Sequence, residues 1–307
     1  MRAWLSRAFA SLFLLPGAAA APPANAPVEP AVAMPENPDA PTLVVTGRRQ
    51  ATPGEVALFV DNVLAEPEND RVARWADRLC LSIAGLDDGR RDFFAGEIAT
   101  VAERLNLDVA QRHCDPSVHI IFTAEPELLL ARLARDRPAF FGVIPQAEQR
   151  PFRASRAPVR WLSFGQLRGP QGQLPIGFAA PPSRGEPERP VPGFRTTPSR
   201  LETGSRIDLQ AMIVIVDTTR LAGISYRSLA DYLSMVVLGN VRPDHGAIAL
   251  PSILNLMDAS GGSAGAATTE LSQWDLSYLD GMYAGTWNVP AAQRIGVIRA
   301  AMRRRPD

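Results

Sequence analysis

Residues 211–217 are almost entirely apolar, and they read Ala211-Met212-Ile213-Val214-Ile215-Val216-Asp217. An extended chain with this pattern is apolar on both faces, which predicts a strand in the interior of a sheet. Val118–Phe122 predicts a second buried strand, and Val159–Phe164 resembles a third. Because helical patterns surround these strands, the sequence predicts an α+β fold with a mixed sheet and packed helices.

Capping patterns and apolar spacing predict the helices. Thr52 with Glu55, and Ser272 with Asp275, form capping-box patterns in which a hydroxyl and an acidic side chain satisfy each other's backbone amides. Apolar residues at helical spacing predict further helices over about 70–80, 91–105, 125–135, 225–238 and 251–258, and from residue 290 onwards.

The composition excludes several classes of protein. The chain has 307 residues and a formal net charge of zero, and all 32 of its basic residues are arginine. This composition excludes a collagen-like repeat, a coiled coil and a fully disordered chain. The balance of charge argues against binding to nucleic acid through bulk electrostatics, so no nucleic-acid partner is predicted.

The amino terminus predicts export. Residues 1–21 have the pattern of a signal peptide, with two arginines, a short apolar run and small residues at the cleavage site. Residues 22–42 hold seven prolines and predict an extended Pro/Ala-rich tether. No later segment is long and apolar enough to span a bilayer. The sequence therefore predicts a periplasmic or secreted protein with no transmembrane segment in its mature chain.

The chain has two cysteines, Cys80 and Cys114. In an oxidising compartment their default state is one disulfide. The alternative is a metal site that these cysteines would form with His113 and His119. The spacing of these four residues fits no common zinc motif, so neither a metal nor another cofactor is predicted.

Three segments follow the tether. Residues 43–149 predict an amino-terminal α+β lobe, residues 150–206 a Pro/Arg-rich insertion or flap, and residues 207–307 a helical carboxy-terminal lobe. The insertion holds ten arginines against three acidic residues, a local charge of +7. It either lies on the acidic surface of its own chain or binds an external anionic partner. The candidate binding residues are Arg153, Arg156, Arg160 and Arg168.

The candidate catalytic residues are few. Residues 261–265 match G-x-S-x-G, but the last histidine, His245, precedes the serine, so the order of an α/β-hydrolase triad cannot be met. We interpret this match as coincidental. His245 could act as a general base because histidine titrates near neutral pH. Asp231 and Asp275 are carboxylate candidates, although their spacing does not single out a catalytic pair.

Residues 213–302 resemble zincin-type metallopeptidases. The resemblance rests on a strand, a helix and three further segments: Ile213–Asp217, Leu229–Leu238, Ser252–Asn255, Leu271–Asp275 and Leu279–Tyr283. In that family the helix carries H-E-x-x-H, which binds zinc and supplies a general base. The matching positions are Ala230, Asp231 and Ser234, so the resemblance implies the fold without its metal.

The leading hypothesis is therefore a non-catalytic, peptidase-like scaffold that binds an envelope protein or an anionic glycan. Its binding surface would combine the 150–206 segment with a cleft over the helix that follows Ser225. The alternative is a hydrolase that uses carboxylates or His245 in the carboxy-terminal lobe. A third hypothesis is strand addition to a partner through residues 43–47, which resemble an extended segment of TonB-dependent receptors.

Overall fold

The computed structural model describes residues 51–110, 114–136, 141, 144, 146–179, 190–194, 202–257 and 268–304. The predicted signal peptide, the tether, the strand near residue 43, His113 and the G-x-S-x-G match lie outside these ranges. Seven α-helices are present in the described chain: α1 Pro53–Val63, α2 Asp88–Arg104, α3 Pro126–Asp136, α4 Gln146–Ala154, α5 Tyr226–Leu238, α6 Gln273–Tyr283 and α7 Ala291–Arg303. The strands are β1 Leu79–Ala84, β2 Val109–Ala110, β3 Val118–Thr123, β4 Val159–Arg168, β5 Ile176–Ala179, β6 Pro190–Gly193 and β7 Arg206–Asp217.

The main sheet has five strands in the order β2-β1-β3-β7-β4. Neighbouring strands are parallel except β4, which runs antiparallel to β7. Strands β5 and β6 form a separate antiparallel pair. The mixed sheet and its helices confirm the predicted α+β class. The five strands of this single sheet come from all three segments into which the sequence was divided.

Both faces of β7 are covered, which confirms its predicted interior position. Met212, Val214 and Val216 belong to the larger core cluster, which also contains side chains of α1, α2, α5, α6 and α7. Ile213 and Ile215 point to the other face and pack in a smaller cluster with Leu130 of α3, Phe152 of α4 and neighbouring residues. The alternation of side chains along a strand therefore distributes β7 between two helical layers.

Local signals placed several elements correctly. The capping boxes of Thr52 with Glu55 and of Ser272 with Asp275 are both present. Ser225 caps α5 and accepts a hydrogen bond from the Ser228 amide. The helix predicted near 251–258 is, over its described part, a shorter 3-10 turn at Ile253–Met257.

The helix predicted over residues 70–80 is wrong. This segment forms no helix and no regular strand before Leu79, and its polar groups bond to distant parts of the chain. The Arg74 amide donates to the Ile207 carbonyl at 3.4 Å, and the Arg74 carbonyl accepts from the Leu209 amide at 2.9 Å. The buried Trp75 indole donates to the Val237 carbonyl at 2.7 Å. These tertiary hydrogen bonds outweigh the local preference for helix.

Cys80 and Cys114 form the predicted disulfide, which joins β1 to the segment that precedes β3. Both sulfur atoms are used in this bond, so these two residues do not ligate a metal in this state. Among the described helices, none has the length and apolar character needed to cross a bilayer.

Candidate functional site

The parallel strands β1, β3 and β7 end at the same edge of the sheet. Strand β1 lies between β2 and β3 in the sheet. After β1 the chain crosses to β2 on one side, whereas β3 is the neighbour on the other side. The loops that follow such neighbouring strands diverge and open a crevice at the carboxyl edge. We call the edge at which β1, β3 and β7 end the carboxyl edge of the sheet.

A pocket of about 600 Å³ lies at the carboxyl edge. This volume falls in the range of small-molecule sites. Its walls come from the turn after β1, the amino-terminal part of α2, the end of β3, the chain that follows β7, and the start of α5. The lining residues are mostly apolar: Leu86, Phe94, Phe122, Leu221, Ala222, Ile224, Tyr226 and Leu229, with Arg90, Thr218, Thr219 and Ser225 as the polar members.

The apolar wall is built from packed aromatic rings. The Phe94 ring centre lies 5.1 Å from that of Phe122 and 6.0 Å from that of Tyr226. Phe94 and Leu229 are buried, whereas Tyr226 is exposed at the mouth of the pocket. Because the buried rings are fixed by the larger core, the wall keeps its shape without a ligand.

Arg90 carries the one charge among the described residues that line the pocket. Its guanidinium lies 5.7 Å from the Tyr226 ring centre and 3.2 Å from the Asp87 carboxylate. The Arg90 amide donates to Asp87 and lowers the pKa of that carboxyl. Both side chains of the ion pair are exposed, so the pair holds Arg90 only weakly. Arg90 is therefore able to turn towards a ligand.

Two helices begin at the pocket. Asp87 caps α2 and Ser225 caps α5, and both lie at or beside the lining. Helix amino termini carry partial positive charge and favour anions. The Thr219 hydroxyl, by contrast, is already engaged because it donates to Asp217 at 2.6 Å. The amino terminus of α2 already holds the Asp87 carboxylate, so the polar rim combines one guanidinium with the amino terminus of α5, which only the neutral Ser225 hydroxyl caps.

A cleft along the helix after Ser225 was expected, but α5 is buried at every position from Ser228 to Leu238. Only its first turn borders the pocket. Ala230 and Ser234, which match the zinc-binding positions of the zincin motif, are fully buried, and the Ser234 hydroxyl donates to the Ala230 carbonyl at 2.8 Å. Within the described residues no three His, Cys, Asp or Glu side chains converge as metal ligands. The zincin resemblance itself stays a prediction.

Asp275 is a fully buried carboxylate with three donors around it. One oxygen accepts from the Ser252 hydroxyl at 2.5 Å, and the other accepts from the amides of Ile253 and Ser272, both at 2.9 Å. Burial raises the pKa of this carboxyl, and the three donors oppose that rise. Asp275 therefore ties the 3-10 turn after Ser252 to the start of α6, which is a structural role.

Asp231 lies next to this arrangement. Its carboxylate accepts from the Leu271 amide at 3.0 Å and lies 3.7 Å from Arg227. Arg227 also pairs with Glu97 of α2 at 2.8 Å. Burial raises the pKa of Asp231. The two carboxylates thus hold consecutive backbone amides of one turn, and neither lines the pocket.

His245 lies in the loop after α5, outside the set of residues that line the pocket. Its ring stacks on Trp161 with the ring centres 6.4 Å apart, and its Nδ1 lies 2.6 Å from the Gly246 carbonyl oxygen. Neighbouring Asp244 forms an ion pair with Arg242. The structure does not bring His245 together with Asp231 or Asp275 through any hydrogen bond among the described contacts.

The four candidate binding arginines make contacts within the chain. Arg160 is 3% exposed and bonds Glu127 at 2.9 Å, and the exposed Arg156 reaches the same carboxylate at 3.2 Å. Arg160 lowers the pKa of Glu127 through this hydrogen bond. Arg153 stacks over Phe141. Arg168, at the far end of β4, donates to Gln210 at 3.0 Å.

Sequence reasoning missed the pocket because it missed β1. One signal was available in Gly85, which follows this strand and has a φ of +85°. A Cβ atom built there would lie 2.0 Å from the Phe122 carbonyl oxygen, so only glycine fits this turn. A strand followed by such a glycine and by the cap residue Asp87 is typical of a βα turn at a carboxyl edge.

Comparison of the chain with protein-family models, with curated proteins and with solved structures finds no match, so the geometry of the pocket carries the functional argument.

Proposed function

We propose that the chain is an exported, non-catalytic binding protein that holds a small amphipathic anion in the carboxyl-edge pocket. The pocket itself, with its aromatic wall and single guanidinium, is the observation that carries the proposal. Export rests on the predicted signal peptide. The pocket's size favours a small molecule over the envelope protein or glycan that the sequence suggested.

The wall favours an apolar ligand body. Eight of the twelve lining residues are apolar or aromatic, and burying an apolar group against them releases water from both surfaces. Each buried methylene group contributes about 0.8 kcal/mol. A ligand with a chain or ring system that reaches Phe94 and Leu229 therefore gains most of its affinity from this wall.

The rim favours a negatively charged end group. Arg90 can form a charge-assisted hydrogen bond to a carboxylate or a similar anion. The first turn of α5, which begins at the pocket, adds favourable partial charge. An anion of this kind replaces the weak surface pairing between Arg90 and Asp87.

A binding role without catalysis fits the positions of the candidate catalytic groups. Asp275 and Asp231 bond backbone amides within the fold, and His245 stacks on Trp161. None of them lines the pocket. A ligand held there would meet Arg90 and hydroxyl groups, with neither a histidine nor a carboxylate among the described lining residues.

Isothermal titration calorimetry with decanoate and decanol tests the proposal, because the two probes share an apolar chain and differ in charge. We expect decanoate to bind and Arg90→Gln to weaken it about tenfold, the effect of losing one charge-assisted hydrogen bond. Decanol affinity should not change in this variant. Arg91→Gln is the matched control, because Arg91 lies on the same helix and pairs with Asp88 outside the pocket.

A second pair of variants tests the location. Ala222 is an exposed residue of the pocket mouth, so Ala222→Trp should fill the entrance and abolish binding of both probes. Ala249→Trp places the same side chain at an exposed position in another loop and should bind like the parent. Equal binding by the two tryptophan variants, or no binding of decanoate by the parent chain, would refute the proposal.

A further inference from the structure

A cluster of arginines surrounds one tryptophan at the opposite edge of the sheet, where β7 begins. The guanidinium carbon of Arg74 lies 4.6 Å from the Trp287 ring centre, and that of Arg206 lies 4.5 Å from the same centre. Trp287 belongs to the connection between α6 and α7 and is 37% exposed. The indole thus packs against two guanidinium groups.

The arginines at the centre of this cluster outnumber the buried carboxylates. Arg74 and Arg294 are 4% and 3% exposed, and Arg206 is mostly buried. Asp208 is the buried carboxylate, and it pairs with Arg206 at 2.8 Å. Arg294 donates to the backbone carbonyls of Ala284 and Thr286.

The positive and negative charges of groups farther from the centre largely cancel. Asp77 and Arg168 act on the pKa of Asp208 in opposite directions. Glu202 accepts from the Asn288 amide at 3.2 Å, and Arg71 donates to the Ser205 carbonyl at 2.8 Å. The three central arginines therefore face one central carboxylate among the described residues.

Arg74 has hydrogen-bonding capacity that the described chain does not use. Its Nη1 donates to the Met282 carbonyl at 3.0 Å, whereas its Nη2 is buried and donates to no described residue. Burial lowers the pKa of Arg74 to about 9, and nearby Arg294 adds to this effect. An anion beside Arg74 would relieve both the unpaired donor and the excess of positive charge.

We propose that Arg74, Arg206 and Trp287 form a binding site for an oxyanion, a carboxylate or phosphate group, that bridges the two guanidinium groups. Guanidinium presents a planar fork of donors that matches both kinds of anion. Because Arg74 is buried and its guanidinium contacts the partly exposed Trp287 ring, the indole moves when the anion enters. This site lies at the edge of the sheet opposite the pocket and does not depend on the proposed function.

Fluorine NMR of the full chain labelled with fluorotryptophan reports directly on this site. The chain has five tryptophans, and Trp287→Phe identifies the resonance of residue 287. Inorganic phosphate and acetate are titrated separately at constant ionic strength, with chloride as the reference salt. We expect a saturable shift of the Trp287 resonance with at least one oxyanion, and the responding probe identifies the class.

Conservative variants separate an anion site from a salt effect. Arg74→Lys keeps the charge but removes the fork, so the apparent affinity should fall about tenfold. Arg206→Lys provides a second test at a less buried position if Arg74→Lys does not fold. Arg299→Gln, which removes a surface partner of Asp61, should leave the titration unchanged. The absence of a saturable shift, the same shift with chloride, or unchanged affinity in the folded lysine variants would overturn the proposal.

Discussion

The assignment of Asp275 as a structural carboxylate can be tested by substituting it with alanine and asparagine. Asp275→Ala removes the acceptor of the buried Ile253 amide, the partly buried Ser272 amide and the buried Ser252 hydroxyl. Each buried donor left without an acceptor costs about 1–3 kcal/mol. The loss of the buried charge returns part of this free energy, so we expect a net destabilisation of about 3–5 kcal/mol, a large share of the stability of an ordinary domain.

Asp275→Asn should be much milder. The asparagine oxygen can accept from the amides of Ile253 and Ser272, while its NH₂ group donates to the Ser252 hydroxyl oxygen. We therefore expect a loss of about 1 kcal/mol, the size of one altered hydrogen bond. Asp280→Ala is the control, since Asp280 lies on the same helix but is exposed and pairs with Arg104 at the surface. It should change stability by less than about 1 kcal/mol.

Urea unfolding followed by circular dichroism measures these differences, provided that the slope of the transition stays the same. We expect Asp275→Ala to be much less stable than Asp275→Asn, and Asp275→Asn to be close in stability to the parent and to Asp280→Ala. If Asp275→Ala loses less than about 1 kcal/mol, or if Asn is as damaging as Ala, the hydrogen bonds around this carboxylate do not hold the turn together.

Three further predictions use the same measurement of stability or binding. Replacing Cys80 and Cys114 by serine should lower stability by about 4 kcal/mol in the chain-entropy model; stability of the variant equal to that of the oxidised parent would contradict this. The pKa of Asp231 is raised in the folded state above its ordinary value of 3.8, so this carboxyl stabilises the fold at low pH and loses that effect as pH rises through the folded pKa. The free energy of unfolding of the parent minus that of Asp231→Asn should therefore increase as pH falls from about 7 to about 4. A difference that stays constant or decreases would contradict the raised pKa. His245→Ala should leave decanoate affinity unchanged within about twofold, well under one lost hydrogen bond; a larger loss would place the imidazole at the ligand.

Local patterns were sufficient for elements whose main contacts are encoded nearby. Strand β7 was predictable because its apolar residues serve both faces, and the capping box at Ser272 was predictable because both partners lie within one turn. The disulfide followed from the presence of two cysteines and a predicted oxidising compartment. In each case the sequence pattern and the final environment agree.

The segment with Arg74 and Trp75 shows where local reasoning stops. Its periodicity suggested a helix, but its hydrogen-bond partners lie at β7 and at the end of α5, more than a hundred residues away. Without that segment the start of β1 could not be located, and the carboxyl edge could not be assembled. The role of Asp231 was equally hidden, because its carboxylate accepts from the Leu271 amide, which only the tertiary fold places beside it. For Asp275 the capping box predicted the bond to the Ser272 amide, whereas the bonds to Ser252 and Ile253 depend on the tertiary fold.

A crystal structure of the chain with decanoate would show whether the pocket at the carboxyl edge holds an amphipathic anion. We expect electron density for the ligand with its apolar chain against Phe94, Phe122 and Leu229 and its carboxylate within hydrogen-bonding distance of Arg90. An empty pocket, with ligand density only at another surface, in crystals grown at a saturating decanoate concentration would rule out binding at the carboxyl edge.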